Sequence, residues 1–204
     1  HRKLSQVRRG EEEELNLPAG IANDLVQSSR LIEKRCDALV EFMEHYQSFT
    51  RLPDPVPQEI RASEFFESIG LFFKNDLEQS GIQLEFDTRD PEVCIFADRA
   101  LLEQAFINLI RNSLDALEGQ QKGQIVLKSH KRNDKALLEI SDNGPGIPED
   151  IQSQVFIPFF TTKSGGTGIG MSIVRKIIIM SGGSIRFLST PHQRTTFSIL
   201  LPSC

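Results

Sequence analysis

The sequence predicts an α/β fold, a two-layer sandwich of a five-stranded mixed sheet and three helices, preceded by a long dimerisation-type helix. Three observations carry this expectation. Helical and strand-like periodicities follow one another over residues 62 to 201, and an ordered succession of that kind ends in helices packed over one face of a sheet. The stretches SIRFLS and TFSILL alternate apolar and polar residues, which marks a closing hairpin. Upstream, Ile32, Cys36, Leu39, Met43 and Tyr46 step by four, three, four and three, the heptad spacing of a bundle or coiled-coil helix.

Residues 1 to 20 form a charged lead-in with a four-glutamate run between breakers, expected to be solvated or partly disordered. The heptad helix lies within 21 to 52. It ends at LPDPVP, where Pro53, Pro55 and Pro57 exclude helix and mark a stiff linker; an amphipathic helix packed on the core is the plainer alternative. The domain over 58 to 204 then reads as a helix over 62–80, strands near 82–88 and 92–96, and a helix over 98–118. Strands near 123–130 and 135–141, a lid, a helix over 168–181 and the hairpin of 184–190 and 194–201 complete it.

Within the helix LLEQAFINLIRNSLDALEG, Leu102, Phe106, Leu109 and Ile110 make the apolar face. Gln104, Asn108, Asn112 and Asp115 make a second, wholly polar stripe, with Arg111 close by. Two asparagines in mid-helix are poor helix formers, and solvated faces usually carry Lys and Glu. An amide oxygen can instead complete an oxygen-rich magnesium shell.

The strand ALLEISD ends in Asp142 and runs into the turn DNGPGIP, where Gly144 and Gly146 let the backbone turn sharply beside a planar ligand. Downstream, GGTGIG opens an apolar helix whose N-terminal amides suit phosphate. Each cluster alone also fits a surface turn before a buried helix. Together they flank FIPFFTTK and describe a lid hinged at both ends, and ATP is the expected ligand. No GxxxxGK[ST] sequence occurs, so the phosphates are not held by a P-loop.

The blocks NLIRNSLDAL, DNGPGIP, FIPFFTTK and GTGIGMSIVRKI stand in the order of the asparagine, first glycine, phenylalanine and second glycine boxes. Over about residues 60 to 202 the chain therefore resembles the ATP-binding domain of sensor histidine kinases, in the superfamily of gyrase, the heat-shock chaperone ATPases and MutL. The short lid looks most like the nitrogen-regulation branch. The resemblance implies that Asn112 coordinates magnesium, that Asn108 supports metal and phosphates, and that Asp142 accepts from the adenine amino group. It implies that Gly144 and Gly146 shape the base pocket, with Ile147, Arg111 and Asp115 also among the ATP-binding residues. Thr162, Lys163, Gly166, Thr167, Gly168, Ile169 and Gly170 would close over the phosphates, Asn108, Asn112 and Lys163 being the catalytic set. Phe156, Phe159 and Phe160 serve either as lid anchors or as core, with core favoured for Phe156.

The segment YQSFTRLPDP resembles the junction after the second helix of the dimerisation and phosphotransfer hairpin, which implies a homodimer through residues 21 to 52. The first helix of that hairpin carries an acceptor histidine followed by an acidic residue. None of His1, His45, His130 or His192 has this context, so the chain reads as part of a longer kinase with no phosphoacceptor of its own. Expected partners are ATP, magnesium and the receiver domain of a response regulator. PHQRTT stands where the family usually has a glycine in the last hairpin.

A net charge of −5 makes nucleic acid an improbable partner, and the 39% apolar content suits a core. No run approaches a membrane span and no secretory leader is visible, so no membrane contact and a cytoplasmic setting are expected, including the cytoplasmic portion of a membrane-anchored sensor. Cys36, Cys94 and Cys204 are isolated and odd in number and read as reduced thiols in a cytosolic compartment. Two other classes fit the pocket. A gyrase-like or chaperone-like hydrolase needs a glutamate one turn before Asn112 to activate water, and that position is Asn108, which cannot act as a base. A nucleotide-sensing module without turnover keeps the binding residues and needs no acceptor.

Overall fold

The computed structural model describes residues 24–36, 40, 52–88, 90, 92–163 and 166–204. The chain divides into two compact units, His1–Glu44 and His45–Cys204. In the first, residues 24–36 are helical, and Leu25, Val26, Leu31 and Ile32 are exposed. Of the heptad positions only Ile32 and Cys36 are described; Leu39, Met43 and Tyr46 lie outside the described residues.

The second unit runs β1 (Gln58–Arg61), α1 (Ala62–Phe72), α2 (Lys74–Ser80), β2 (Gln83–Asp87), β3 (Cys94–Ala97) and α3 (Arg99–Ala116). It continues with β4 (Gln124–Arg132), β5 (Lys135–Asp142), α4 (Glu149–Gln152), α5 (Gly170–Met180), β6 (Ser184–Thr190) and β7 (Arg194–Pro202). Alternation decides which face of the sheet is dry. Ile125 and Leu127 of β4, Leu138 and Ile140 of β5, and Phe197, Ile199 and Leu201 of β7 are buried, while their neighbours are mostly half-exposed. The five strands lie in the order β2-β4-β5-β7-β6, with β2 parallel to β4 and the other pairs antiparallel. The core side chains of α1, α3 and α5 join those of the sheet's dry face in one cluster. Phe65 meets Phe106 edge-on, with ring centroids 5.0 Å apart.

Two elements differ from expectation. The strand near 92–96 is not part of the main sheet: β3 pairs with β1 in a separate two-stranded antiparallel sheet. The helix expected over 62–80 breaks at Phe73, between α1 and α2. Phe66, Ile69, Phe73 and Leu77 keep a buried register of three, four and four through the break, whereas Leu71 and Phe72 face solvent. The buried periodicity thus runs through the break, as do the bonds from the Phe73 N–H to Ile69 O and from the Leu77 N–H to Phe73 O. The last hairpin turns without glycine because His192 takes the left-handed conformation at φ 62°.

The cysteine reading is corrected. Cys94 and Cys204, 110 residues apart in sequence, are joined by a disulfide, and among the described residues only Cys36 is a free thiol. Parity and spacing could not show that β3 and the end of β7 lie side by side. The free-thiol argument for a cytosolic setting loses its support with them.

Asp98 ties the linker to the domain. Its Oδ1 accepts the Leu101 N–H at 3.0 Å, capping α3, and its Oδ2 accepts the Val56 N–H at 2.9 Å. The Leu101 N–H, then that of Val56, hold its carboxyl below the ordinary value of 3.8. Asp98→Ala is expected to cost about 1–2 kcal/mol at neutral pH, the range for losing a good N-cap. Because the folded value is depressed, the wild-type advantage is present above pH 3.8 and disappears as pH falls through the lower folded value. Denaturant titrations of both proteins at pH 7 and in acid check this. A gap that persists unchanged in acid would show that ionisation of Asp98 is not what holds the helix end.

Candidate functional site

β5 delivers Asp142 to the dry face of the sheet, where it is 6% exposed. Ser113 Oγ, from α3, donates to Asp142 Oδ2 at 3.2 Å, and the Gly144 N–H donates to Oδ1 at 3.0 Å. Burial pushes this carboxyl above its ordinary 3.8, and the Gly144 and Ser113 bonds pull against that rise. An ionised carboxylate offers about four acceptor positions, so these two donors leave room for a further one.

The turn after Asp142 is fixed by contacts of the chain with itself. A Cβ on Gly144 would lie 2.7 Å from Asp142 Oδ1 and 3.3 Å from Ala116 Cβ. Gly146 has φ +72°, and a Cβ there would come within 2.4 Å of the Thr190 carbonyl oxygen. The His192 N–H donates to Pro145 O at 2.6 Å and the Ile147 N–H to Ser189 Oγ at 2.7 Å, so the β6–β7 hairpin clamps the turn. Ile147 itself packs, half-buried, against the core.

Along α3 the polar stripe splits in two. Asn108 Nδ2 donates back to Gln104 O at 3.0 Å, and its Oδ1 points towards Gly170, where a Cβ would stand 3.0 Å away. Asn112 Oδ1 and Asp115 Oδ2 both accept from Lys163 Nζ, at 2.9 and 2.6 Å. The Lys163 ammonium thus sits on two oxygens, one of them that of Asn112, so this end of the stripe accepts a positive charge. These contacts join helix α3 to the lid across about fifty residues of chain.

The lid is anchored at both ends. Phe156 packs its ring against Phe187 and Phe197, with Arg175 over its face, and lies half-buried against the core without joining it. The Phe159 N–H donates to Gly168 O at 2.9 Å. Gly168 has φ +68°, and a Cβ there would lie 2.5 Å from the Phe159 carbonyl carbon. Lys163 N–H donates to Thr161 Oγ1, and the Gly166 N–H to Lys163 O. Ser164 and Gly165 lie outside the described residues. Thr167 is half-buried and Ile169 buried, and Ile169 gives α5 no side-chain cap, so its first amides have no side-chain acceptor at the N-cap.

The structure therefore brings Asp142 to Ser113 and Gly144, Asn108 to Gly170, and Lys163 to Asn112 and Asp115. Arg111 and Thr162 are exposed and stand outside these contacts. Ser113 was missed from the sequence, although it follows Leu102, Phe106 and Leu109 on the buried face at steps of four, three and four. A hydroxyl at such a position is the signal that a buried acceptor lies opposite it.

A β5-terminal carboxylate, an asparagine-bearing helix and a glycine-hinged lid over a two-layer sandwich define a nucleotide-binding class. The chain belongs to the family described as Histidine kinase-, DNA gyrase B-, and HSP90-like ATPase, which matches residues 97–203. Within it, this is the ATP-binding catalytic domain of a sensor histidine kinase. The sensory histidine kinase/phosphatase NtrB of Rhizobium meliloti is 32% identical over 86% of this chain and 49% of its own length. The signal transduction histidine-protein kinase AtoS of Escherichia coli is 30% identical over 84% of this chain and 28% of its own. The chain thus spans half or less of the length of these curated relatives. The catalytic domain of histidine kinase ThkA superposes with a TM-score of 0.65 at 32% identity, over 72% of this chain and 95% of that domain. ThkA in complex with the response regulator protein TrrA superposes at 0.70 with 24% identity, over 94% and 54% of the two chains, a likeness of fold. Among the described residues no helix is long and apolar enough to cross a membrane.

Proposed function

We propose that this chain binds magnesium-ATP, presents its terminal phosphoryl group to a histidine outside the four that the chain contains, and so supplies a response-regulator aspartate. The observation that carries the reading is the convergence of Lys163 on Asn112 and Asp115 beneath the lid. Asp142 accepts from the adenine amino group and thereby selects adenine over guanine, which offers an acceptor there. Gly144, Gly146 and Ile147 shape the turn beside the base. Asn112 is the principal magnesium ligand, with Asn108 in support; magnesium bound there supplies charge neutralisation at the phosphates. Lys163 leaves its two oxygens for the phosphates, and Thr162, Thr167 and the backbone from Gly166 to Gly170 close beside it, with Arg111 and Asp115 at the rim. Transfer of a phosphoryl group needs positioning and electrostatic stabilisation more than covalent help from the protein, which suits this set.

Residues 1–20 are assigned as a lead-in, 21–57 as the second hairpin helix with its linker, and 58–204 as the ATP-binding domain. The exposure of Leu25, Leu31 and Ile32 supports pairing of the 21–52 helix with a second copy. The kinase/phosphatase naming of the NtrB relatives and the TrrA complex of ThkA support a receiver-domain partner. Use of ATP fits a cytoplasmic setting for the reaction.

The test supplies labelled ATP with and without a two-helix hairpin bearing an acceptor histidine followed by an acidic residue. Label is expected on the hairpin alone, with little free phosphate, because Asn108 cannot take a proton from water. Robust phosphate release would move the chain to the hydrolysing class. Acid-labile label on His45, His130 or His192 would show that the acceptor lies within it.

A further inference from the structure

Cys94 and Cys204 belong to no part of the nucleotide site, yet they join two parts of the fold that no regular hydrogen-bonded ladder connects. Cys94 opens β3, whose strand partner is β1, and β1 follows directly on the proline linker. Cys204 lies just past the end of β7 in the main sheet. Their Cα atoms are 5.5 Å apart, the usual spacing of a native bridge, and the Ser203 hydroxyl donates to Cys94 O at 2.9 Å, which registers the two segments independently of the sulfurs. Cys94 is half-buried and Cys204 exposed, so a small thiol or disulfide can reach the pair. The Glu59 carboxylate lies within 4.8 Å of both sulfurs.

We propose that Cys94 and Cys204 are a reversible dithiol–disulfide site that staples the small β1–β3 sheet, and with it the attachment point of the linker, to the main sheet. The oxidant is a low-molecular-weight disulfide such as oxidised glutathione. The more exposed Cys204 thiolate attacks one of its sulfurs and expels a glutathione thiolate. The Cys94 thiolate then attacks the Cys204 sulfur of the mixed disulfide and expels the second. The two protons lost by the cysteines go to the two departing thiolates, and two electrons pass from the protein to the small disulfide; excess reduced thiol reverses every step. The oxidised form closes a loop of 110 residues, which restricts the unfolded chain strongly, and it fixes a two-stranded sheet too small to be stable by itself. Oxidation state thereby sets how firmly the domain holds the segment that arrives from the linker through Val56 and Asp98.

The full chain carrying Cys36→Ser removes the exposed third thiol from the measurement. After equilibration in glutathione buffers and quenching with iodoacetamide, the oxidised chain should take up no alkyl group and no glutathione and be two hydrogens lighter. The reduced chain should take up two alkyl groups, and the forms should interconvert. The oxidised form should melt about 5–15 °C above the reduced one, a shift that Cys94→Ser abolishes. Amides of 58–61 and 94–97 should exchange about tenfold faster on reduction. Stable glutathione adducts or two alkyl groups in oxidising buffer would overturn the proposal, as would equal melting of the two forms. Protection of the thiols that is lost to a chelator rather than to dithiothreitol would show a metal site built with Glu59 instead.

Discussion

Asp142→Asn is expected to weaken ATP and ADP alike, by about 2–3 kcal/mol or roughly 30- to 150-fold, the range for a hydrogen bond to a charged acceptor. The substitution keeps the size of the side chain but can place an amide donor where the adenine amino group also donates. Its effect on the empty protein has the opposite direction. Burial raises the folded pKa of Asp142 above 3.8, so whatever stability this group lends is present below that pH and lost as pH rises through the folded value. At neutral pH the ionised side chain is therefore a cost of the fold, eased by Ser113 and Gly144. A neutral amide is expected to leave the melting temperature unchanged or higher while binding collapses, which separates loss of site from loss of structure. Wild-type affinity should fall as pH drops through the raised pKa, and the ratio to Asp142→Asn should shrink over the same span, since protonation of adenine itself is common to both. Calorimetric titration across that range reads both. An unchanged affinity in the variant would remove Asp142 from the base site.

Asn112→Ala should hurt binding mainly when the metal is present. Loss of one oxygen ligand is expected to cost about 10- to 100-fold in affinity for magnesium-ATP, and less than about threefold with a chelator. Lys163 loses one of its two acceptors in the same variant, so the ammonium should hold the lid less firmly and the amides of 161–163 should exchange faster. Equal losses with and without chelator would mean that the side chain serves the nucleotide or the lid and holds no metal.

Much of this site was legible because its residue types are costly elsewhere. Asn108 and Asn112 stand out since neutral amides are poor surface residues in a helix, and the structure puts one against the start of α5 and the other under Lys163. Asp142 stands out because a strand rich in leucine ends in a carboxylate before two glycines. What the sequence concealed depends on long-range neighbours. The periodicity near 92–96 reads as a strand but says nothing of its partner, and β1 at 58–61 is too short and too close to the prolines to be recognised. The Lys163–Asp115 contact, the linker bond from Val56 to Asp98 and the Cys94–Cys204 bridge each join segments more than forty residues apart. Local pattern carries none of them. His192 in the left-handed region shows the converse: PHQRTT stands where the family usually has a glycine, and a bond from the His192 amide to Pro145 O holds this residue in that conformation.

The two glycines after Asp142 bear on how such chains should be sorted into working and silent copies. Gly146 is required by the Thr190 and Pro191 backbone and Gly144 by Asp142 and Ala116, all of them atoms of the same chain. A descendant that had abandoned nucleotide altogether would still be obliged to keep Gly146 in order to close this corner. Its presence vouches for an intact scaffold, and activity is better judged from side chains whose removal leaves no clash behind, Asn108, Asn112 and Lys163.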